Sequence, residues 1–288
     1  MPHSRTTIIT VTYNSMQVLP QMLASLPAGT PTILIDNASA DTASLRDLAK
    51  ASGAQLILNP DNRGFGVACN QGAALAVTEF LLFLNPDAVL EPDTLTQLAA
   101  AADRFPKASA MNPRIVESDG SAFFKRKSTL MSRAERMPRG WPAADCEVPV
   151  LTGAALFVRR ADFNAIGGFD PAIFLFHEDD DLSRRLRAER GPILFIRDAV
   201  VHHQGAASSG KSAQITTFKD WHMGHSRVYT GRKHHRPFAR SGAILKGVTQ
   251  LIAPTTLLSP TKRARQWAFL RGIIHASLGG KSMPQGPR

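Results

Sequence analysis

An alternation of short apolar runs with segments of helical periodicity fills the first 84 residues and constrains the fold more than any other feature. The apolar runs predict strands at 7–12, 32–36, 54–58 and 80–84, and the periodic segments predict helices at about 18–26, 41–51 and 65–77. Strands that alternate with helices build βαβ units, in which the strands are parallel and helices cover both faces. The sequence therefore predicts an α/β fold with a mainly parallel central sheet flanked by helices.

Polar residues follow these strands at their carboxyl ends. They are Thr12, Tyr13 and Asn14, then Asp36 and Asn37, then Asn59, and finally Asn85 and Asp87. In open α/β sheets, ligands bind outside the carboxyl ends of the strands, so we expect these side chains to line one crevice. Alternatives stay open, because Asp36 and Asn37 can simply begin a turn, and Asp87 can be a turn carboxylate or a metal ligand.

The alternation stops after Pro113, and the second half of the chain is organised differently. Residues 118–149 are irregular and partly basic, which is typical of a long loop that could form a flexible lid. Regular structure is predicted again as strands at 154–159, 193–197 and 199–203, with helices between the first two.

Four consecutive acidic residues occupy positions 178–181, directly after the apolar residues 174–176. One interpretation is a solvated first helical turn, since acids there suit the helix dipole and can pair with arginines 184, 185 and 187. The other interpretation places the carboxylates at the mouth of a cleft, where they could hold a proton or a cation. Like charges this close should raise the pKa of at least one of them.

The positive charge of the chain is concentrated at its end. Residues 206–288 contain fourteen Lys and Arg and one acidic residue, a net charge of +13, whereas residues 1–205 sum to −2. Trp267, Leu270, Ile274 and Leu278 recur there at helical spacing. Such a segment could dock on an anionic membrane surface, or it could pack its apolar stripe on the rest of the protein.

The two cysteines, Cys69 and Cys146, are far apart, so they predict neither a disulfide framework nor a zinc site. This usage fits a reducing, cytoplasmic setting. We expect no secretion signal, because the first residues lead directly into a strand, and no membrane-spanning helix, because the longest apolar tract, 243–258, is interrupted by Lys246 and Pro254.

Several motifs occur together in a fixed order: VTYN, IDNASAD, NRGFGVACN, FLNPDAVLEPD, LTGAALFVRR, IGGFDPAIFLFHEDDDLSRRL and VVHHQG. In order and spacing they resemble family-2 glycosyltransferases, especially the rhamnosyltransferase-like branch, over about residues 6–235. The most specific signal is an NPD turn combined with GGFD and then EDxDL. The resemblance implies a GT-A fold, a nucleotide-diphosphate sugar donor, a divalent cation (Mg²⁺ or Mn²⁺) and inversion at the anomeric carbon.

The resemblance also assigns roles by matched position. Nucleotide-sugar binding falls to Thr12, Tyr13, Asn14, Asp36, Asn37, Asn62, Gly64, Asn70, Asn85 and Asp87. Asp87 occupies the last place of a DxD-type motif and would bind the metal, while Asn85 in the first place leaves it one charged ligand fewer. His202 matches a histidine that completes the metal shell in relatives, although the neighbouring His203 leaves this assignment open by one residue.

The acceptor side is assigned in the same way. Asp179 would be the general base that takes the proton of the acceptor hydroxyl, and Glu178 would orient the acceptor or the base. Gly153 and Asp181 would contact the acceptor, with Asp181 alternatively fixing the helix start. Asp180 matches a variable position and is expected at the surface.

We therefore predict a GT-A catalytic domain at 1–205, with a nucleotide-sugar half at about 1–115 and an acceptor half at about 149–205. A basic helical extension follows at 206–288. The predicted function is transfer of a sugar to a cell-envelope glycan or glycolipid at the inner face of the membrane. The first candidate for the sugar is rhamnose, donated by dTDP-rhamnose. The rival predictions are a nucleic-acid-binding protein that uses its basic segment, and a catalytically inactive sugar-nucleotide-binding scaffold.

Overall fold

A computed structural model describes residues 5–204 and 212–280. The strands are β1 (Thr6–Thr12), β2 (Thr32–Asp36), β3 (Gln55–Leu58), β4 (Phe80–Leu84), β5 (Ala88–Leu90), β6 (Ala110–Glu117), β7 (Ala122–Phe123), β8 (Cys146–Glu147), β9 (Ala155–Arg159) and β10 (Ile193–His203). The helices are α1 (Leu19–Ala24), α2 (Thr42–Ser52), α3 (Phe65–Leu75), α4 (Thr94–Arg104), α5 (Arg160–Ala165), α6 (Glu178–Glu189), α7 (Ala213–Lys233), α8 (Ala239–Leu251), α9 (Pro254–Leu257) and α10 (Pro260–Ser277).

The strands form one sheet in the order β3-β2-β1-β4-β9-β6-β10-β5, with β7 added to β6 and β8 added to β10. The pairs β1–β2, β2–β3, β1–β4 and β6–β10 are parallel, whereas β9 runs antiparallel to both β4 and β6. The predicted α/β class, the mainly parallel sheet and the flanking helices are confirmed. Each antiparallel pair includes a strand that follows β4 in the chain.

Strand β4 lies at the centre of the sheet, and all five of its residues are buried. Its side chains alternate between the two faces, so Phe80 and Leu82 pack into one core and Leu81 and Phe83 into the other. A continuous apolar run of this kind is typical of a strand with both faces covered. On one face α3 packs very close to the sheet, because Gly72 has no Cβ to collide with Ile9.

The two strands predicted at 193–197 and 199–203 are one strand, β10. Its pairing with β6 shifts between Ile196 and Val200 and then resumes. Arg197 and Asp198 lie at this irregularity within the strand, and the Arg197 amide donates to Asp145 Oδ1 at 2.8 Å. This irregularity carries β10 onward to its pairing with β5.

Residues 118–149, here called the central loop, contain only the short strands β7 and β8. The loop is packed on the sheet and is not a free lid. Leu130 and Val148 are buried, and the Trp141 indole donates to the Ile115 carbonyl at 3.0 Å. The Met137 amide donates to the Arg126 carbonyl, which closes the loop on itself.

Helices α7, α8 and α10 pack together through a small core that contains Val228, Ala243, Phe269 and Ile273. The predicted boundary at 205/206 lies outside the described residues and stays a prediction. Helix α7 nevertheless contacts the catalytic region directly, since the Tyr229 hydroxyl lies 2.9 Å from Asp170 Oδ2. The extension is therefore attached to the sheet domain along α7.

The apolar stripe predicted in α10 is divided in the structure. Leu270 is buried with the helical core, whereas Trp267, Ile274 and Leu278 are exposed. Packing on the rest of the protein therefore accounts for Leu270 only, and docking on a membrane stays a prediction. Within 5–204 and 212–280, no helix is long and apolar enough to cross a bilayer.

Candidate functional site

A cleft lies at the carboxyl edge of the sheet and is here called the edge cleft. Five residues predicted to bind the donor line it, namely Tyr13, Asn37, Asn62, Gly64 and Asn85. The prediction that the strand ends converge on one crevice therefore agrees with the geometry.

Helix α7 supplies a wall of the edge cleft that the sequence did not predict. Ile215, Phe218 and Lys219 line it, together with Val11 of β1 and with Asn85, which follows β4. Burial lowers the pKa of Lys219, and the negative charge of Asp87 opposes this effect. No sequence motif marks Lys219, because only the packing of α7 brings its ammonium group to the cleft.

The residues after β1 and β2 form a connected set of turns. The fully buried Asp36 accepts a hydrogen bond from the Ser39 amide at 2.9 Å and another from the Ser39 hydroxyl. Asn14 Oδ1 accepts from the Ala40 amide at 2.9 Å, and Thr12 is buried at the end of β1. Asp36 thus begins a turn, as one of the two interpretations of the sequence expected. The next residue, Asn37, lines the cleft.

The turn before α3 is locked against the loop that precedes α6. Gly64 has a φ of 83°, and a Cβ there would lie 2.5 Å from the Phe174 carbonyl oxygen, so a side chain is excluded. Its amide donates to Asn62 Oδ1 at 3.0 Å, and its carbonyl accepts from Asn37 Nδ2 at 3.1 Å. These contacts fix the backbone on one side of the cleft.

Asn70 does not line the edge cleft. Its side-chain amide donates to the Phe169 carbonyl at 2.8 Å, and its Oδ1 accepts from the Phe169 amide at 2.9 Å. The residue therefore holds the GGFD segment against α3. Its predicted donor role is replaced by a structural one, because both of its hydrogen-bonding groups are used by the backbone.

Asp87 and His203 face each other at the end of β4 and β10. Because β10 pairs with β5 in the register His203–Ala88, His203 Nε2 lies 3.4 Å from Asp87 Oδ1. His203 Nδ1 lies 3.4 Å from Glu117 Oε1. Burial lowers the pKa of His203, but Asp87 and Glu117 outweigh it and raise the pKa above its ordinary value.

The sequence left the choice between His202 and His203 open, and the structure places His203 beside Asp87. Successive side chains of a strand point to opposite faces, so His202 points away from Asp87 when His203 points toward it. His202 is half exposed and its Nε2 lies 2.9 Å from Glu91 Oε1. The sequence offered both histidines, and only the strand register distinguishes them.

The residues around Asp87 fit a divalent cation of the kind that shares its coordination with a substrate. Asp87 offers a carboxylate, His203 an imidazole nitrogen, and Asn85 lines the adjacent cleft. In the described part of the chain, no group of three or more His, Cys, Asp or Glu could hold a metal by itself. A Mg²⁺ or Mn²⁺ ion here would take its other ligands from diphosphate oxygens and water, as Mg²⁺ commonly does.

Helix α6 begins at Glu178, so the four predicted carboxylates form its first turn. They are not on a solvated face. Lys125 from the central loop places its Nζ 2.6 Å from Asp179 Oδ1 and 2.9 Å from Asp180 Oδ1. Burial lowers the pKa of Lys125, but the two carboxylates outweigh it and raise that pKa above its ordinary range.

The prediction that Asp180 lies at the surface is wrong, since the residue is only 4% exposed. His177 Nδ1 lies 2.8 Å from Asp180 Oδ2, which adds a second partner beside Lys125. Burial raises the pKa of Asp180, but His177 and Lys125 outweigh it and hold the pKa far below its ordinary value. Lys125 of the central loop covers this carboxylate, and no local sequence pattern predicts a contact between residues so far apart in the chain.

Asp179 and Gly153, assigned by the resemblance to the base and to acceptor binding, lie together. The Gly153 amide donates to Asp179 Oδ2 at 3.1 Å. A Cβ added to Gly153 would lie 3.7 Å from both Asp179 Cβ and the ring of Phe65, a residue that lines the edge cleft. Gly153 therefore lies close both to Asp179 and to a side chain of the cleft wall.

The clustering of charge predicted that at least one carboxyl group of the run has a raised pKa. That group is Glu178. Burial and then the charge of Asp179 raise the pKa of Glu178 to about 8. Its Oε2 atom is buried and has no hydrogen-bond partner in the described residues. Glu178 is therefore largely protonated at neutral pH, beside the contact of Lys125 with Asp179.

Asp181 connects α6 to α7 and does not face an acceptor. The residue is fully buried, and its carboxylate contacts Arg185 at 2.8 Å, Lys233 at 2.7 Å and His234 at 2.7 Å. Burial raises the pKa of Asp181, but these partners, His234 first, lower it to about 2. The predicted acceptor contact is corrected to a structural role.

Comparisons with known proteins agree with this geometry. Residues 7–167 match the family described as "Glycosyl transferase family 2". The chain is 28% identical over 246 residues to an N-acetylglucosaminyl-diphospho-decaprenol L-rhamnosyltransferase of Mycobacterium tuberculosis. That alignment covers 71% of this chain and 77% of the relative.

Solved structures share the fold. A mannosyltransferase from Pyrobaculum calidifontis, solved in complex with GDP-Man and Mn²⁺, aligns with a TM-score of 0.57 at 17% identity, covering 96% of this chain and 86% of that one. S. aureus TarS 1-349, solved in complex with UDP-GlcNAc, aligns with a TM-score of 0.55 at 14% identity, covering 99% of each chain. These likenesses establish the GT-A fold.

Proposed function

The chain belongs to glycosyl transferase family 2 and is a nucleotide-sugar-dependent glycosyltransferase, and we propose that it transfers rhamnose from dTDP-rhamnose with inversion to a lipid-linked glycan of the cell envelope. The M. tuberculosis relative supports both the sugar and the acceptor, because its name gives an L-rhamnosyl group and a diphospho-decaprenol acceptor. Two features together carry the proposal. Asp87 and His203 are in contact directly after Pro86, which lines the edge cleft, and Asp179 lies beside Gly153, close to the lining residue Phe65.

The nucleotide sugar would occupy the edge cleft. Its base and ribose would lie between Tyr13 and Asn37, and its diphosphate near Asn85 and Asp87. Asp87 and His203 would hold a divalent cation there, which when bound neutralises negative charge on the departing diphosphate. Lys219 supplies a further positive charge at the same end of the cleft, and this charge does not depend on a bound metal.

Asp179 would act as the general base. The Gly153 amide and Lys125 hold its carboxylate in one position, and an acceptor hydroxyl within about 3 Å could pass its proton to it during attack. The neutral Glu178 would orient the acceptor through a hydrogen bond that an ionised carboxylate cannot donate. Asp180 and Asp181 act indirectly, since both are buried in ion pairs.

A membrane surface is the proposed setting for a lipid-linked acceptor, and the enzyme would lie peripherally on the inner leaflet. Ten large apolar side chains in 238–278 are exposed, against three in the rest of the described chain. Phe238, Leu245, Ile252 and Leu258 are each more than 60% exposed. Exposed apolar groups among cations suit an anionic bilayer interface.

Two measurements test the proposal. A thermal-shift panel would compare dTDP-rhamnose, UDP-GlcNAc and GDP-mannose with and without Mn²⁺, and a donor at about 100 times its Kd should stabilise the fold by about 2.7 kcal/mol. Transfer would then be assayed with a decyl-diphosphate-linked N-acetylglucosamine. Donor stabilisation without transfer would favour an inactive scaffold, whereas salt-sensitive binding of DNA or RNA without donor binding would favour a nucleic-acid-binding protein.

A further inference from the structure

The aromatic rings of Phe174, Phe218 and His222 pack together at one side of the edge cleft and are here called the aromatic wall. Phe174 lies just before α6, and the other two residues belong to α7. Phe174 and Phe218 line the cleft, and their rings meet edge to face with centroids 5.7 Å apart. The fully buried His222 is stacked on Phe174 at 4.4 Å and meets Phe218 edge to face at 4.5 Å. Aromatic rings attract one another in such arrangements, so the three rings hold one another in place.

Backbone contacts hold the Phe174 segment in the same place. The Phe65 amide donates to the Phe174 carbonyl at 3.1 Å, and the Ser226 hydroxyl donates to the Leu175 carbonyl at 2.9 Å. A Cβ on Gly64 would lie 3.0 Å from Phe174 Cδ2, so the ring is packed directly on the turn before α3. The aromatic wall is therefore anchored to both α3 and α7, and it presents a preformed surface to the cleft.

One end of the aromatic wall adjoins the place proposed for the diphosphate. Phe218 directly precedes Lys219, and both residues line the edge cleft together with Asn85 and Pro86. Pro86 is directly followed by Asp87, the proposed ligand of the cation. The sugar of a bound donor would begin here, because its anomeric carbon is bonded to the diphosphate.

The other end of the aromatic wall adjoins the proposed base. The ring of Phe65, whose amide contacts Phe174, lies close to Gly153, since a Cβ added there would be 3.7 Å from it. The Gly153 amide in turn donates to Asp179. The acceptor hydroxyl that Asp179 would deprotonate attacks the anomeric carbon. The transferred sugar must therefore lie between the two ends and against the aromatic wall.

The lining of the edge cleft has a polar and an apolar part. The polar lining residues are Tyr13, Ser15, Asn37, Asn62, Asn85 and Lys219. The proposed function places the nucleotide and the diphosphate against members of this set. Leu175, which follows Phe174, and Ile215, three residues before Phe218 on α7, also line the cleft and extend the aromatic wall as an apolar surface. A sugar hydroxyl buried against such a surface would lose its hydrogen bonds to water, whereas a methyl group would gain from leaving water.

We propose that the aromatic wall makes the enzyme selective for a 6-deoxyhexose donor, with Phe174 and Phe218 receiving the methyl group at C6. This methyl group is the only apolar substituent of such a sugar, and a hexose carries a hydroxymethyl group in its place. His222 is a positioning residue, because it is fully buried and contacts both rings. This inference rests on the proposed function for the place of the donor, and it adds the side chains that choose the sugar.

The first test compares dTDP-L-rhamnose with dTDP-L-mannose, which differs from it only by a hydroxyl at C6. An apolar wall should give wild type a kcat/KM that is at least about tenfold higher for dTDP-L-rhamnose. Phe218→Gln supplies an amide that can bind the extra hydroxyl, so the two donors should become nearly equal in this variant. Phe105→Gln, at a partly exposed position after α4, should keep the wild-type preference. Equal use of both donors by wild type, or an unchanged preference in Phe218→Gln, would overturn the proposal.

A second test measures binding and does not depend on transfer. In titration calorimetry, Phe218→Gln should raise the Kd for dTDP-L-rhamnose by about fourfold or more, as expected for one lost methyl contact, and leave the Kd for dTDP unchanged. An equal loss for dTDP would place the nucleotide against the aromatic wall and overturn the proposal. Ile215→Asn leaves the three rings intact and should change the sugar preference in the same direction, which keeps the test available if Phe218→Gln does not fold.

His222 is tested through the ring that it contributes. His222→Phe keeps a ring beside Phe174, whereas His222→Ala removes it. We expect the preference for dTDP-L-rhamnose to survive in His222→Phe and to be lost in His222→Ala, while both folded variants bind dTDP like wild type. Loss of the preference in a folded His222→Phe, or its retention in His222→Ala, would overturn the positioning role.

These outcomes separate the aromatic wall from the proposed function. If wild type binds dTDP-L-rhamnose more tightly than dTDP-L-mannose through Phe218 but transfers it to no lipid-linked acceptor, the proposed acceptor fails while the aromatic wall stands. If transfer to the lipid-linked acceptor proceeds equally well from both donors, the aromatic wall fails as a selector while the glycosyltransferase activity stands.

Discussion

Lys125 Nζ lies 2.6 Å from Asp179 Oδ1, so the proposed base is paired with a cation from a loop more than fifty residues earlier in the chain. The same ammonium group contacts Asp180 and so neutralises part of the acidic first turn of α6. This pair explains how four consecutive carboxylates can be packed beside a cleft. It also makes the central loop a part of the site.

Replacing Lys125 by Gln should destabilise the fold and change catalysis. The substitution leaves Asp179 and Asp180 without their shared cation, and breaking a buried pair costs about 3 kcal/mol of unfolding free energy. Because Lys125 lowers the pKa of Glu178, that pKa should rise further in the variant. Urea unfolding and a pH–rate profile measure both effects, and Lys50→Gln, at an exposed position, should leave both unchanged.

Glu178 predicts a specific dependence of stability on pH. Its pKa is raised in the folded protein from 4.5 to about 8, so its contribution to stability is complete below about pH 4.5 and is lost as the pH rises through 8. Glu178→Gln removes this titration. The unfolding free energy of the variant should therefore rise relative to that of wild type between pH 5 and pH 9. A constant difference between the two proteins across this range would contradict the raised pKa of Glu178.

The two neighbouring histidines provide a matched pair. His203→Ala should weaken donor binding chiefly when Mn²⁺ is present, because His203 faces Asp87, whereas His202→Ala should bind the donor like wild type. Titration calorimetry with and without Mn²⁺ measures the difference. A metal-dependent loss in His202→Ala, with none in His203→Ala, would reverse the assignment.

The sequence predicted the nucleotide half of the fold well, because apolar runs such as Phe80–Leu84 and the polar residues after each strand are local patterns. It did not predict the contact of Gly153 with Asp179, Lys125 at Asp179 or Lys219 in the edge cleft, and it left open which of His202 and His203 stands at Asp87. Those contacts depend on loop packing, helix docking and strand register, which are set between distant parts of the chain.

The burial of Asp180 and Asp181 has the same origin. Both residues look like a solvated helix start in the sequence, and only the contacts from His177, Lys233 and His234 show that they are interior ion pairs. The role of this run as a site stays a prediction, and the structure corrects only the expected exposure of Asp180. Asp179 is the member of the run that stays beside the cleft wall.

The most direct test of the proposed mechanism is a comparison of wild type with Asp179→Asn, measuring donor binding by calorimetry and sugar transfer in the same preparation. A general base acts only in proton transfer, so the variant should bind the nucleotide sugar with a Kd close to that of wild type and lose at least about a hundredfold in kcat. Wild-type turnover by Asp179→Asn, with the nucleotide sugar still bound, would contradict the assignment of Asp179 as the base.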